Sequence, residues 1–435
     1  LPEVIGIGLL GVGTVGSGVV KLLRDNASQI AQRVGKRVAI KRILEKDESK
    51  LRSLGLTEQG TSRYEDLLDD PSIQIIVELL GGIEPAHTYL LEALGRGKHV
   101  VTANKDVVAT YGKDLFAAAA ATKSDFYFEA SVGGGIPVIR VLKESLAANQ
   151  IEAVIGIVNG TTNYILTRMG EEGIEFDAAL CAAKDAGYAE ADPSADIEGF
   201  DAARKIAILA SIAFNTRITP NDVFVEGITR ITPRDISYAQ ELGYVIKLLA
   251  IAREQDEVEV RVHPALVPKN HPLAAVQGVF NAIFVQGNAV GETMFYGQGA
   301  GQMATASAVV GDVMEIVRNI ETNSTGRFSC TCFYEKKIRP RGQFHSKYYI
   351  RLVVKDQPGA LASIAGVFGN NRVSLGSVIQ KRTLNVAGVS MAELVLITHD
   401  VMEQDVQDAL TVIKGLSIVG SVENVIRVEG GEQNR

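Results

Sequence analysis

Val4-Ile5-Gly6-Ile7-Gly8-Leu9-Leu10, running straight into Gly11-Val12-Gly13-Thr14-Val15-Gly16, decides the fold of the first third of this chain. Val4 to Leu10 is apolar apart from small glycines, the pattern of a parallel strand buried on both faces. Ser17-Gly18-Val19-Val20-Lys21-Leu22-Leu23 then opens with helical spacing. Alone, a G-x-G-x-x-G run is ordinary turn chemistry; between a strand and a helix it reads as a dinucleotide-binding turn. Gly11 permits the tight turn, Gly13 lets the backbone approach a pyrophosphate beside Thr14 and Val15, and Gly16 allows close helix–strand packing. The N–H groups at the helix start face the anion, helped by the helix dipole.

Outward from this turn, Val38 to Leu44 is the second strand, and it ends in Glu45-Lys46-Asp47. A carboxylate here suits the adenosine ribose of NAD, whereas Lys46 would neutralise the 2′-phosphate of NADP. The choice stays open, with NADP preferred through Lys46. Ile73 to Leu80 is another buried strand, Pro85 to Gly95 a helix, and the strand from His99 ends in Thr102-Ala103-Asn104-Lys105-Asp106. Ligands of open α/β sheets lie at the carboxyl ends of the strands, which turns Thr102 and Lys105 toward the cofactor. The alternation predicts a doubly wound, Rossmann-like sheet.

The chain has 435 residues, more than one hydrophobic core holds, so two or three domains are expected. Its net charge of −7 and lack of a Lys/Arg run argue against nucleic acid as a partner. Its longest apolar stretches fall short of a membrane span, and Lys247 interrupts one of them. No secretory signal opens the chain, although a removed transit peptide, and with it a plastid location, stays open. Three cysteines, Cys181, Cys330 and Cys332, do not make a disulfide framework and suit a reducing cytoplasm. Cys330 and Cys332 lack neighbours for a zinc site and read as two exposed linker thiols. Cys181, in an Ala/Leu-rich run, reads as buried helix, which leaves no thiolate for acylating aldehyde chemistry.

The central segment is dense in polar loops that close apolar strands. A strand from Asp125 to Phe128 leads to Glu129-Ala130-Ser131-Val132-Gly133-Gly134-Gly135-Ile136-Pro137, whose glycines permit close approach of a ligand or ion. Asn159-Gly160-Thr161-Thr162-Asn163-Tyr164 follows, and then the carboxylate-rich Ala186-Gly187-Tyr188-Ala189-Glu190-Ala191-Asp192-Pro193-Ser194-Ala195-Asp196. From Asp201 to Phe214 the spacing is helical, and Asp201 and Lys205 share a face. Such a pair is commonly a solvent-exposed ion pair. Here, however, Lys205 precedes Ile206 to Ala210, apolar almost all round, which places it at the edge of a buried helix. A lysine so placed can protonate an oxygen that gains charge during hydride delivery, and nearby carboxylates can hold a substrate ammonium.

These blocks, in this order, resemble the homoserine dehydrogenases over nearly the whole chain. The resemblance implies reduction of L-aspartate 4-semialdehyde to L-homoserine with NADPH or NADH. It implies that Lys205 donates the proton and that Lys105 lies between cofactor and substrate. Glu190, Asp201 and Asp196 match substrate-binding carboxylates, and Gly187, Glu190 and Gly301 match cofactor contacts. It further implies a monovalent cation, sodium, near Glu129, Val132, Gly134 and Ile136, and a homodimer or homotetramer built through the middle region. A non-catalytic sensor on a degenerate dinucleotide fold is the rival reading; Lys105, Glu190, Asp201 and Lys205 together speak against it. A fusion to aspartate kinase has no room, since the chain opens on the dinucleotide strand.

Past Arg339-Pro340-Arg341-Gly342 the composition changes. Strands at Tyr348 to Val354, Val373 to Gln380, Ala392 to Thr398 and within Ile418 to Val428, with helices at Ala360 to Gly369 and Glu403 to Gly415, predict a ferredoxin-like βαββαβ unit. With Asp356-Gln357-Pro358-Gly359-Ala360-Leu361 this unit resembles an ACT domain, which implies L-threonine as effector, a purely structural pairing module being the alternative. The expected division is a nucleotide-binding domain over 1–130 with 302–325, an α+β catalytic and dimerisation domain over 131–301, a linker over 326–347 and the ACT domain over 348–430.

Overall fold

The computed structural model describes residues 4–386 and 388–430, in two compact units. Unit 1 comprises 1–154, 204–222 and 280–336; unit 2 comprises 155–203, 223–279 and 337–435.

Unit 1 is built on a six-stranded sheet in the order Gly60–Thr61, Arg37–Leu44, Val4–Leu10, Ile73–Glu78, His99–Thr102, Phe126–Tyr127, parallel throughout. This is the doubly wound order in which the ligand crevice opens where the connections change direction, beside Val4–Leu10. Ile7, Leu9 and Leu10 are fully buried, as a strand covered on both faces requires. The helix Gln302–Glu321 returns to pack on the helix Thr14–Asp25 at Gly18, where a Cβ would stand 2.7 Å from the Gln302 carbonyl oxygen. The strand expected at 125–128 is only Phe126–Tyr127, because the backbone tightens into a 3₁₀ turn at Glu129–Ser131.

In unit 2 the strands run in the order Ile151–Ile157 (which straddles the unit boundary), Tyr244–Glu254, Val258–Pro268, Val419–Val428, His345–Lys355, Val389–Thr398, Leu375–Val386. The last four form the βαββαβ sheet, antiparallel throughout, with helices Ala360–Asn370 and Glu403–Lys414 closing a core around Tyr348, Ile350, Ile364, Phe368 and Leu410. Its edge strand pairs in parallel with Val258–Pro268 at Ala265 with Arg427 and Leu266 with Val428. The ACT sheet is therefore an extension of the preceding sheet, not a bead on a string.

The structure corrects two thiol assignments. Cys181 lies in the helix Phe176–Asp185 but is exposed, because that helix buries Ala179 and Ala183, four apart, and turns Cys181 away. Cys330 and Cys332 are half-buried. Phe328 anchors their segment by stacking on Tyr127, with ring centroids 4.3 Å apart.

Candidate active site

At the glycine turn, each glycine has its own steric reason. Gly11 adopts φ +91°, a region that L side chains avoid, and a Cβ on Gly16 would stand 2.2 Å from the Gly11 carbonyl oxygen. Gly13 faces open space, and Thr14 beside it is exposed at the helix start. Glu45 reaches this turn from the end of the second strand: its carboxylate accepts from the N–H of Val12 at 3.2 Å, Lys46 at 3.0 Å and Asp47 at 3.1 Å. Burial alone would raise its pKa, but these N–H groups and Lys50 outweigh that and hold it below the ordinary value. Lys46 itself is exposed.

At the carboxyl end of the next two strands, Glu78 is fully buried and accepts from the Thr102 hydroxyl at 2.5 Å and the N–H of Leu80 at 2.7 Å. Burial raises its pKa. Asn104 bridges from the N–H of Val107 to the carbonyl of Gly82, capping the helix Lys105–Thr122. Thr102 is thus spent on Glu78, and Lys105, the first residue of that helix, is half-buried. Lys205 is also half-buried, in the second turn of the helix Phe200–Ala213. Their neighbours Asp106 and Arg204 form an ion pair of 2.6 Å that ties the starts of the two helices together.

The Glu129–Ile136 loop holds Gly133 and Gly134 at φ +73° and +54°. A Cβ on Gly134 would stand 2.5 Å from the Gly299 carbonyl oxygen, and the N–H of Gly135 donates to the carbonyl of Gln298. Gly301, at φ +125°, caps the helix Gln302–Glu321. The Glu129 carboxylate is buried and accepts from the N–H of Val138, Ile139 and Arg140. Beside it lies buried Asp312, which accepts from the Glu129 N–H and from Arg140. Burial, then the Glu129 charge, push the Asp312 pKa up to about 7. Both carboxylates face the part-buried guanidinium of Arg140, and Val132 and Ile136 are buried in the same loop.

In unit 2, the Asn159 side chain does three jobs. Its oxygen caps the helix Gly160–Glu172 by accepting from the Thr162 N–H, and its amide donates to Asp196 at 2.7 Å and to Asp201 at 2.9 Å. Asp201 is buried and Asp196 half-buried, so the amide gathers two carboxylates at one point. Gly187, at φ +74°, shapes the turn that leaves Glu190 exposed. Thr161 donates to the carbonyl of Tyr188 and pins this loop. Asn163, in the same motif, is structural: it donates to the carbonyl of Gly278 and accepts from Lys247. Burial lowers the Lys247 pKa to about 8.

Sequence reasoning placed Asp196, Asp201 and Lys205 in this region but missed Asn159, Glu78 and the Asp106–Arg204 pair. Asn159 carried a signal, an amide before Gly160 at a helix start, but its second use toward residues about forty positions away has no local signature. Glu78 falls inside the apolar run Ile73 to Leu80, where nothing local marks it as the partner of Thr102.

Comparisons with known proteins agree with this layout. The family described as homoserine dehydrogenase, NAD binding domain, matches residues 11–129; homoserine dehydrogenase matches 137–314; the ACT domain matches 348–417. A homoserine dehydrogenase of Bacillus subtilis (strain 168) is 44% identical over 431 residues, covering 98% of this chain and 99% of its own. One from Synechocystis is 45% identical over 433 residues, covering 97% and 99%. Among solved structures, a homoserine dehydrogenase from Thiobacillus denitrificans superposes with a TM-score of 0.93 at 41% identity, covering 99% of both chains. A hyperthermophilic archaeal homoserine dehydrogenase mutant in complex with NADPH gives 0.63 at 29% identity, covering 72% of this chain and 97% of its own. The chain belongs to the homoserine dehydrogenase family, NAD(P)-dependent oxidoreductases, and carries a C-terminal ACT domain.

Proposed function

We propose that this homoserine dehydrogenase reduces L-aspartate 4-semialdehyde to L-homoserine with Lys205 as the proton donor and with Asp201, Asp196 and Glu190 holding the substrate ammonium. The observation that carries this reading is the Asn159 amide bonded to both Asp196 and Asp201, on the loop and helix start that precede Lys205 by one turn. A bound nicotinamide supplies the hydride. The chain's own residues do the rest: the carboxylates orient the amino acid, and Lys205 donates its proton as the aldehyde oxygen becomes alkoxide. Lys105, fixed by the Asn104 cap, stands between cofactor and substrate. The open turn at Gly11, Gly13, Thr14, Val15 and Gly16 suits the pyrophosphate, and Thr102, Gly187, Glu190 and Gly301 are the further proposed cofactor contacts.

Lys46 makes NADP the preferred nucleotide, and Glu45 retains NAD as a substrate. The buried Glu129 carboxylate beside the glycine-rich loop suits a sodium ion on the Val132, Gly134 and Ile136 backbone. L-Threonine at the ACT domain is the proposed effector, with the effect carried by differential affinity for two states. A homodimer or homotetramer is supported by the outer strand Gly291–Gln298, which leaves Tyr296 and Met294 exposed. Three unpaired thiols support a cytoplasmic setting. The domain division at 130, 301, 326–347 and 348–430 is proposed on the same grounds as from sequence.

The deciding experiment is homoserine oxidation with NAD and NADP in parallel, with and without threonine, for the wild type and Lys205→Ala. We expect a loss of at least about a hundredfold in kcat for a removed general acid, with the nucleotide Kd unchanged. Near-normal turnover in a folded variant would remove Lys205 from the role.

A further inference from the structure

Within unit 1, the helices Lys105–Thr122 and Phe200–Ala213 and the segment Cys330–Cys332 enclose a partly open cavity of about 40 Å³. Its walls are mostly apolar, with Val108, Phe116, Phe128 and Ile208 among them, and the polar lining is Ser211, Thr331, Cys330, Cys332 and the two cations Lys143 and Arg217. The described lining holds no carboxylate. The Cys332 N–H points at the Cys330 sulfur at 3.5 Å. Lys143 is held in place over the Phe328 and Phe116 rings, 4.0 and 4.7 Å from their centroids, and donates to the Ser329 carbonyl. Arg217 is fixed on the other side by the carbonyls of Ala109 and Thr110.

Two thiols one residue apart, faced by two immobilised cations, are an arrangement for making and consuming a thiolate. The site's dimensions set the class of reactant. A water needs roughly 10–15 Å³ of such space, so this cavity has room for a molecule of two or three heavy atoms. We propose that Cys330 and Cys332 form a hydrogen-peroxide-reactive pair, Cys330 being the attacking sulfur and Cys332 the resolving one.

In the first step the Cys330 thiolate attacks one peroxide oxygen, the O–O bond breaks, and the departing hydroxide takes a proton to become water. In the second, the Cys332 sulfur attacks the Cys330 sulfenic sulfur; its proton leaves with the hydroxyl as a second water, and the S–S bond closes. Two thiols and one peroxide give one disulfide and two waters. The electrostatics agree with this polarity. The hydrogen bond from the Cys332 thiol, followed by the Cys332 N–H, Lys143 and Arg217, brings the Cys330 pKa down to about 6, while Cys332 is pushed up. Burial lowers Lys143 to about 8.

At neutral pH a thiol of that acidity is about thirtyfold richer in thiolate than an ordinary one, and its weaker intrinsic nucleophilicity takes back about tenfold. The net rate advantage over an ordinary thiol is therefore only about threefold. The product is the sharper readout.

The test treats the reduced full-length protein with substoichiometric hydrogen peroxide and maps the thiols by peptide mass spectrometry. The expected result is an intrachain Cys330–Cys332 disulfide as the main product, in severalfold excess over oxidation at Cys181. In Cys332→Ser, dimedone is expected to trap a sulfenic acid at Cys330; in Cys330→Ser, Cys332 is expected to stay unlabelled. Lys143→Met should slow the dimedone labelling of the Cys332→Ser protein severalfold. Equal oxidation of Cys181 and Cys330, or labelling of Cys332 in Cys330→Ser, would overturn the proposal. Homoserine oxidation by each variant reports that it has folded and is a separate measurement from the thiol chemistry.

Discussion

Buried and half-buried carboxylates stand at strand ends in the six-stranded parallel sheet and hold loops, whereas in the ACT sheet they stand within strands or at a helix start and hold guanidinium groups. Glu78 closes Ile73–Glu78 and accepts from Thr102, Leu80 and Gly81; Glu45 lies just past Arg37–Leu44 and accepts from the glycine turn. In unit 2, Arg351 donates from mid-strand to Asp235 at 2.8 Å and to Glu393 at 3.0 Å, all three within 2% of full burial. Arg427 does the same with Glu403. The first arrangement shapes the crevice at the carboxyl ends of the strands. The second joins the ACT strands to the helix Pro233–Glu241 and contributes rigidity at a cost in desolvation.

The largest effect that separates the two regions is expected from Arg351→Met. Removing one member of a buried ion cluster leaves the others uncompensated, and here both Asp235 and Glu393 would lose their shared partner. Such changes cost about 3–5 kcal/mol. Thermal unfolding should show the drop, and hydrogen exchange should place it in His345–Lys355 and Val389–Thr398, leaving Val4–Leu10 protected. A loss under about 1 kcal/mol would mean that water or the remaining cations replace Arg351 easily.

Acid should divide the regions next. Burial pushes the Glu403 carboxyl up, but Arg427, the Tyr348 hydroxyl and Arg341 outweigh it and bring the pKa to about 2. Because the folded value lies below the ordinary one, the stabilisation is complete above about pH 4.5 and is lost as pH falls toward 2, at most about 3 kcal/mol. Asp312 has the opposite sign: its raised value, about 7, gives stability present below about pH 4 and lost as pH rises through 7. Melting curves across this range should therefore show Glu403→Gln flattening the acid limb of unit 2. Identical acid limbs in wild type and variant would discard the Glu403 assignment.

The parallel sheet, the glycine turn and the βαββαβ order were legible because burial repeats locally and turn residues carry their own signal. Most element ends shifted by up to three residues, and Leu375–Val386 proved longer than Val373 to Gln380 suggested, since pairing with Val389–Thr398 extends it. What periodicity could not show was partnership. Lys247 looked like a break in an apolar strand and is a buried donor to Asn163. Arg351 and Glu393 sat in apolar strands without any local sign that they meet. The linker thiols were misread for a similar reason: their burial depends on Lys143 and on two helices distant in sequence.

Gly16→Ala probes the nucleotide side with the smallest of these effects. Its Cβ would overlap the Gly11 carbonyl oxygen, a backbone atom held by the Gly11 N–H bond to Leu44 at 3.0 Å, so the turn itself must move. Gly18, two residues on, faces a similar constraint against Gln302, which limits how far the helix can retreat. Displacing the turn would pull the helix-start N–H groups off the pyrophosphate in the proposed site. The KM for either nucleotide should rise about tenfold, equivalent to about 1.4 kcal/mol, with kcat at saturation nearly unchanged. Stability of the ACT sheet should not respond. A fall in kcat with KM unmoved would show that this turn aligns the nicotinamide instead of anchoring the phosphates, and would move the contrast between the two regions from binding to chemistry.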